Sequence, residues 1–326
     1  MADIIHKLKK SGLLGMSGSC FPAYLKWQQV KSSRAKSKYV ICNVAEGEPD
    51  VSKDYYILRN YPKQVISGIR LALKTVGAKT AFIYIKKKYY RKLKRKLVRL
   101  THDFPIELFE KPDGYLNGEE SALLNIIEGR SAQPRQKPPF PAQKGLYGKP
   151  TLIHNIETFY HIDQIQENRY KLNRFYCVSG KANKKGVFEL PFDFTVRDIL
   201  TITGNRPKFD FFVQVGGGAS GAIMLPEELN APVKGLGSII IYDKKTTNPL
   251  SLMRKWAKFF VEENCDKCAP CREGTYRILE IVKKPQLAPK DKTDLNDIFN
   301  AMEKTSFCPL GRNATLPFKT AIKKLL

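Results

Sequence analysis

Apolar positions recur with two different spacings along the chain, and their order predicts an α/β layer followed by helices. Residues 38–44, Lys38-Tyr39-Val40-Ile41-Cys42-Asn43-Val44, form a short continuous apolar run ending in polar residues, the pattern of a strand buried on both faces. Residues 62–78 switch to helical spacing, with Val65, Ile66, Ile69, Leu71 and Leu73 apolar. A second strand-like run, 80–85, leads into the basic segment Lys86–Lys96, which reads as the solvated face of a helix rather than a nucleic-acid stripe. This strand–loop–helix–strand order predicts an α/β layer. The first ten residues read as a short amphipathic helix. Residues 105–160 are dense in Pro and Gly (Pro134, Pro138, Pro139, Pro141, Pro150), which predicts a second set of functional loops. Short strand-like runs at 175–178, 186–190, 211–215 and 238–242 predict a small β-rich or α+β region over 172–244. Residues 248–326 read as helical.

Composition narrows this picture. A chain of 326 residues can hold two or three domains, and a 42% hydrophobic content excludes a disordered chain. No run of about 18 apolar residues is present, so no membrane-spanning helix is expected. The start lacks the apolar stretch of a signal peptide, which predicts a cytoplasmic protein. The net charge of +25 favours acidic partners, nucleotides or phosphates, and salt-sensitive association.

The sharpest chemical signal is the cysteine spacing. Cys20, Cys42 and Cys177 are scattered, whereas Cys265, Cys268 and Cys271 follow a Cys-x2-Cys-x2-Cys pattern and Cys308 stands far downstream before Pro309. In a reducing compartment such a group suggests metal rather than disulfides. Three clustered thiolates plus one remote Cys-Pro favour a [4Fe-4S] cluster. Structural zinc, which more often uses two separated pairs, stays open on spacing alone.

Three loops carry weaker signals. Gly12 to Lys26 is Gly- and Ser-rich and ends in a cation, as a phosphate-binding loop does, but it lacks both the Gly-x-Gly-x-x-Gly and the Walker spacing, so a plain turn stays open. Asn43 to Asp54 places polar groups at the end of an apolar strand, where α/β folds bind ligands. Tyr115 to Leu124 places a Gly-Glu-Glu turn before a helix. Its carboxylates suit ribose hydroxyls, or serve only to stabilise the helix N-terminus.

These motifs, together with Gln133 to Pro141, Asn155-Ile156-Glu157-Thr158 and Cys265 to Gly274, resemble the flavoprotein NADH-binding subunit of respiratory complex I and the related subunits of NAD-linked hydrogenases and formate dehydrogenases. The resemblance runs over nearly the whole chain. It implies an α/β flavin-binding domain over 1–170, a ubiquitin-like β-grasp (soluble-ligand-binding) domain over 171–246, and a C-terminal helical bundle with an iron–sulfur cluster over 247–326. It implies FMN, NAD(H) and a [4Fe-4S] cluster as cofactors. Gly15, Gly18 and Lys26 would surround the FMN phosphate; Asn43, Glu46, Gly118 and Asn155 would contact the rest of FMN. Phe21 and Phe140 would stack on the adenine side of NADH. Glu48, Glu119, Glu120 and Lys137 would line the nicotinamide–ribose–phosphate path, with Glu119 at the reacting centre. Cys265, Cys268, Cys271 and Cys308 would hold the cluster. The implied partners are a [2Fe-2S] thioredoxin-like subunit and a larger iron–sulfur or hydrogenase/dehydrogenase subunit, with no nucleic acid and at most a peripheral membrane location. The sequence departs from the family pattern in four places. Met16-Ser17-Gly18-Ser19-Cys20 replaces the usual Arg-Gly-Gly-Ala-Gly, Ala45 replaces an Asp, His154 replaces an Asn, and Gln29 replaces a Phe. The alternative is therefore a cluster-carrying electron-transfer or scaffold subunit with weakened nucleotide chemistry.

Overall fold

The structure is a computed structural model that describes residues 3–18, 20–233 and 235–326, so Ser19 of the glycine loop lies outside the described residues. The chain forms two compact units, Met1–Gly47 with Ser52–Phe175, and Glu48–Val51 with Tyr176–Leu326.

In the first unit, helices α1 (Ile4–Ser11) and α2 (Ala23–Ser32) precede strand β1 (Tyr39–Val44). Helices α3 (Lys53–Asn60) and α4 (Pro62–Val76) lead to β2 (Thr80–Lys86), and α5 (Lys87–Thr101) leads to β3 (Ile106–Lys111). Two short helices, α6 (Ala122–Ile127) and α7 (Pro141–Lys144), precede β4 (Thr151–Asn155), and α8 (Ile156–Gln166) follows. The sheet has the order β3-β2-β1-β4 and is parallel throughout. Its central strands β1 and β2 are buried on both faces, which is why they read as continuous apolar runs rather than alternating ones. The chain winds outward from β1 to β3, then returns to the other side of β1 as β4. The order therefore reverses between β1 and β4, and a parallel sheet opens a ligand crevice at such a point, beyond the strand C-termini. The register sets Asn43 directly opposite Asn155 there.

The region 105–160 is less loop-like than expected, since it contributes two of the four strands. β3 is mostly half-buried and carries Glu107, Glu110 and Lys111, and β4 has only five residues ending in His154 and Asn155. Neither shows a long apolar run; both are strands because they pair with β2 and β1.

α4 matches the expected helix. Val65, Ile66, Ile69, Leu73 and Val76 are buried, and Gly77 ends it in the left-handed conformation, φ 70°. It crosses α8 at Gly68, where an added Cβ would lie 2.2 Å from the Phe159 carbonyl oxygen. Gly68→Ala is therefore expected to push the two helices apart and cost about 1–3 kcal/mol. A urea midpoint equal to that of the unsubstituted protein would refute this close approach. α5 buries Tyr89, Leu93, Leu97 and Thr101 on one stripe, and its basic side chains Lys88, Arg91, Lys92, Lys94, Arg95, Lys96 and Arg99 are exposed, as a solvated face requires.

In the second unit, β5 (Asn173–Gly180), β6 (Gly186–Pro191), α9 (Val196–Ile202), β7 (Phe211–Val215), β8 (Ala222–Met224) and β9 (Ser238–Asp243) build a mixed sheet of order β6-β5-β9-β7-β8. β5 and β9 run parallel, while β7 is antiparallel to β9 and β8. Val178, Val196, Ile199, Leu200, Val213 and Ile241 form its core. Five helices follow: α10 (Pro249–Glu263), α11 (Ala269–Val282), α12 (Pro289–Thr305), α13 (Pro309–Asn313) and α14 (Leu316–Leu325). Each carries a proline at its first or second position, where the missing N–H leaves no helical bond unmade. Trp256, Phe260, Phe299 and Phe318 fill their core. Among the described residues no helix is long and apolar enough to cross a membrane.

Candidate functional site

The first group of candidate residues gathers around the β1–β4 crevice of the first unit. Asn43, at the end of β1, donates from Nδ2 to the Gly118 carbonyl at 2.9 Å and accepts at Oδ1 from the Ala45 amide. Asn155 caps α8 by accepting from the Glu157 amide, and its Nδ2 donates to both oxygens of Asp54 at 3.0 and 3.2 Å. Gly118 packs against the backbone beside Asn43: an added Cβ would stand 3.1 Å from the Ala45 carbonyl oxygen. Glu46 accepts from the Asp54 amide at one oxygen and from the Tyr89 hydroxyl at the other, 2.8 Å. Burial raises the pKa of Glu46, against the hydrogen bonds from the Asp54 amide and Tyr89. Burial, then the nearby Glu46 charge, raises Asp54 well above the carboxylate range. This crevice therefore holds carboxyl groups that resist ionisation.

A second cluster follows from the Gly-Glu-Glu turn. One Glu119 oxygen accepts from the Ser121 and Ala122 amides at the start of α6, and its other oxygen accepts from Lys137 at 2.8 Å. Glu120 accepts from Lys137 at 2.7 Å and pairs with Lys26 at 3.4 Å. Burial works to raise the Glu120 pKa, but the Lys26 and Lys137 charges outweigh it and hold it below the usual range. Burial likewise disfavours the Lys137 cation, and the two carboxylates outweigh it and raise its pKa. The arrangement is a row of alternating charges, Lys26–Glu120–Lys137–Glu119.

Lys26 thus reaches Glu120 and the Ile153 carbonyl. In the glycine loop, the Gly15 amide donates to the Phe21 carbonyl and the buried Met16 donates its amide to Thr158 Oγ1. Gly18 adopts φ 94° at the exposed tip. Phe21 is 44% exposed and shares an open cavity of about 830 Å³ with Leu25, Gln28 and Gln29. Phe140, after Lys137 and two prolines, is also exposed. Glu48 packs in the second unit, where it accepts from the Ala219 amide at 2.8 Å and from the Ser220 hydroxyl.

The cysteines lie in the second unit. Cys268 is the N-cap of α11, Cys271 sits in that helix's first turn, and Cys308 is the N-cap of α13. Helix N-termini favour thiolates through their unpaired N–H groups. Cys271 and Cys308 are buried, and Cys265 and Cys268 half-buried. The remote segment meets the local one directly: the Phe307 amide donates to Cys268 Sγ at 3.5 Å, and the Lys267 ammonium lies 4.5 Å from the Phe307 ring centre. Burial, then Cys268, Cys308 and Cys265, push the Cys271 thiol up to about 12. Three thiols that raise the Cys271 pKa mark a place where a bound cationic group would reverse that effect. Among the described residues no group of three Cys, His, Asp or Glu side chains is arranged to hold a single metal ion.

Several groups in these sites escape a reading of the sequence. Tyr89, hidden inside the basic run, orients Glu46. Asp54 orients Asn155. His154 accepts from the Trp27 indole N–H at 3.1 Å, and burial, then Lys26, lowers its pKa well below the usual value. Only side-chain contacts reveal these roles.

A family model described as the Nuo51 FMN-binding domain matches residues 8–164, and one described as the NADH-ubiquinone oxidoreductase-F iron–sulfur binding region matches residues 251–325. The chain is 31% identical to an NADH-quinone oxidoreductase subunit of Rhizobium meliloti (strain 1021), covering 98% of this chain and 86% of that protein. It is 31% identical to the NAD-reducing hydrogenase HoxS subunit alpha of Cupriavidus necator, covering 99% of this chain and 59% of that one. A crystal structure of an NAD+-reducing [NiFe]-hydrogenase in the H2-reduced state superimposes with a TM-score of 0.91 at 29% identity, over 98% of this chain and 61% of the hydrogenase chain.

Proposed function

This chain belongs to the family of NADH-quinone oxidoreductase subunits built on the Nuo51 FMN-binding domain, and from that membership we propose that it is an NADH dehydrogenase flavoprotein that works within a larger complex. When bound, FMN supplies two-electron chemistry with NADH and one-electron chemistry toward a [4Fe-4S] cluster. The observation that carries the reading is the meeting of Cys265, Cys268 and Cys271 with the remote Cys308 at two helix N-termini. These four residues would hold the cluster.

In the first unit the protein's own groups would bind and orient. Asn43, Glu46, Gly118 and Asn155 lie at the end of β1, at the end of β4 or beside them, and would hold the flavin, with Gly15, Gly18 and Lys26 toward its phosphate. Glu119, Glu120 and Lys137 would receive the ribose and phosphate groups of NADH by charged hydrogen bonds, with Glu119 nearest the reacting centre. Phe21 and Phe140 offer exposed ring faces for adenine stacking. Tyr89 and Asp54 would fix the Glu46 and Asn155 side chains.

The chain divides into a flavin and nucleotide domain over 1–170, a β-grasp domain over 171–246 and a cluster domain over 247–326 in this reading. The β-grasp assignment is supported by the neighbouring strands β5 and β6, the following α9, and β9 lying parallel to β5. Electrons would leave to a [2Fe-2S] thioredoxin-like subunit and a larger iron–sulfur or hydrogenase/dehydrogenase subunit, on the cytoplasmic side of any membrane complex. A scaffold role is the second reading. It is favoured by the glycine loop, where the Gly15 and Met16 amides already have protein acceptors.

Anaerobic purification followed by NADH addition separates the two. Flavin absorbance that bleaches with NADH is the expected result. A brown protein without flavin, reduced by dithionite and unmoved by NADH, would establish the scaffold instead.

A further inference from the structure

We propose that Ser306 is a positioning residue for the cluster: with the cluster bound, its hydroxyl would donate a hydrogen bond to the Cys271 sulfur and so raise the potential at which the cluster accepts an electron. This rests on the cluster assignment made above.

The observation is an orphaned polar atom. Ser306 is 1% exposed, and its Oγ has no hydrogen-bond partner among the described residues. Leaving a hydroxyl buried and unpaired is costly, so its surroundings should supply an acceptor. The backbone of Ser306 is fully used. Its amide donates to the Met302 carbonyl at 3.0 Å, and its carbonyl accepts from Arg312 Nε at 2.8 Å. The residue is thereby pinned at both ends, and only the hydroxyl is left to serve another group.

That hydroxyl and the Cys271 stem border the same point in the packing. A Cβ added at Gly311 would lie 2.7 Å from Ser306 Oγ and 3.0 Å from Cys271 Cβ, so serine and cysteine approach one point that glycine leaves open. Cys271 is buried in the first turn of α11. A thiol there is a weak acceptor, whereas a thiolate holding iron is a strong one. The next residue already shows the same chemistry, since the Phe307 amide donates to Cys268 Sγ. Residues 306–308 would thus deliver two donors to two sulfurs and one ligand thiolate, Cys308. Hydrogen bonds to cluster sulfurs stabilise the more negative reduced state, which moves the potential upward.

The test is an EPR-monitored redox titration of the anaerobically purified full-length protein, with iron content measured in parallel. Ser306→Ala is expected to keep its iron and shift the reduced-to-oxidised ratio at the original midpoint about tenfold toward oxidised, equal to a 59 mV lowering for a one-electron couple. Ser306→Thr, which keeps the hydroxyl, is expected to keep the midpoint. Loss of iron in the alanine variant, with normal iron and midpoint in the threonine variant, also supports the hydroxyl. An unchanged midpoint in fully loaded Ser306→Ala overturns the proposal, as does an equal shift or loss in both variants. If the unsubstituted protein gives no iron–sulfur signal at all, the cluster assignment itself fails, a result distinct from an unchanged midpoint.

Discussion

Glu157→Gln is expected to lower the stability of the first unit by about 3–5 kcal/mol, because it leaves the Lys53 ammonium buried without its counter-charge. Lys53 is 2% exposed and Glu157 fully buried, and the two form an ion pair at the heart of the unit. Lys53 also donates to the Met16 carbonyl, and Glu157 accepts from the Phe175 amide at 2.7 Å. The pair therefore ties the glycine loop, α3, α8 and the start of β5 together. Burial alone would raise the Glu157 pKa, but the Lys53 charge, followed by His161 and Arg174, lowers it to about 2. A carboxylate with a depressed folded pKa stabilises the fold above its unfolded pKa of about 4.3 and loses that contribution as pH falls toward 2. The original protein should lose on the order of 3 kcal/mol from this group between pH 5 and pH 2, and the glutamine variant should lack that component. Urea midpoints of both proteins across this range measure the difference. Equal midpoints at pH 7, or parallel acid profiles, would contradict the assignment.

The parts of the fold that are legible in the sequence are those whose pattern is local. β1 and β2 are buried on both faces and announce themselves as unbroken apolar runs. α4 shows its apolar stripe and its closing Gly77. The cysteine spacing is local for three ligands, and the Cys-Pro step at 308–309 marks the fourth. The chain hides what depends on pairing across distance. β3 and β4 are short and half polar, and only their neighbours make them strands. The Lys53–Glu157 pair joins residues 104 positions apart, and nothing near either one signals burial. Tyr89 sits among lysines as one more helix residue until the fold turns it toward Glu46. The roles of Asn43, Glu119 and Lys137 come from a resemblance of whole motifs. Read singly, each loop is equally well explained as a turn or a helix start, because a glycine or a carboxylate serves both purposes.

Cys308→Ala is expected to uncouple the two halves of the reaction. In the proposed reading Cys308 would be the one ligand that the local Cys-x2-Cys-x2-Cys turn cannot supply, and it stands as the N-cap of α13. Even outer hydrogen-bond partners of metal ligands change affinity about 10–100-fold, so removing a direct ligand should reduce iron binding by at least about 100-fold. All four cysteines belong to the second unit, so flavin binding and its bleaching by NADH should persist. Reduction of any acceptor that draws electrons from the cluster should fall by a similar factor. Cys20→Ser provides the control: Cys20 is exposed on the glycine loop and should leave iron unchanged. Iron analysis, the visible spectrum and anaerobic NADH titration of the two variants give the answer together. A Cys308→Ala protein that retains its full iron would remove Cys308 from the ligand set and return the fourth position to another residue. A variant that loses iron and flavin bleaching together would mean that the cluster region supports the flavin site structurally. The +25 charge makes the choice of acceptor part of this experiment, since anionic acceptors gain from the positive field at low salt. The comparison is therefore made at fixed ionic strength, where a change in rate reports the cluster and not the encounter.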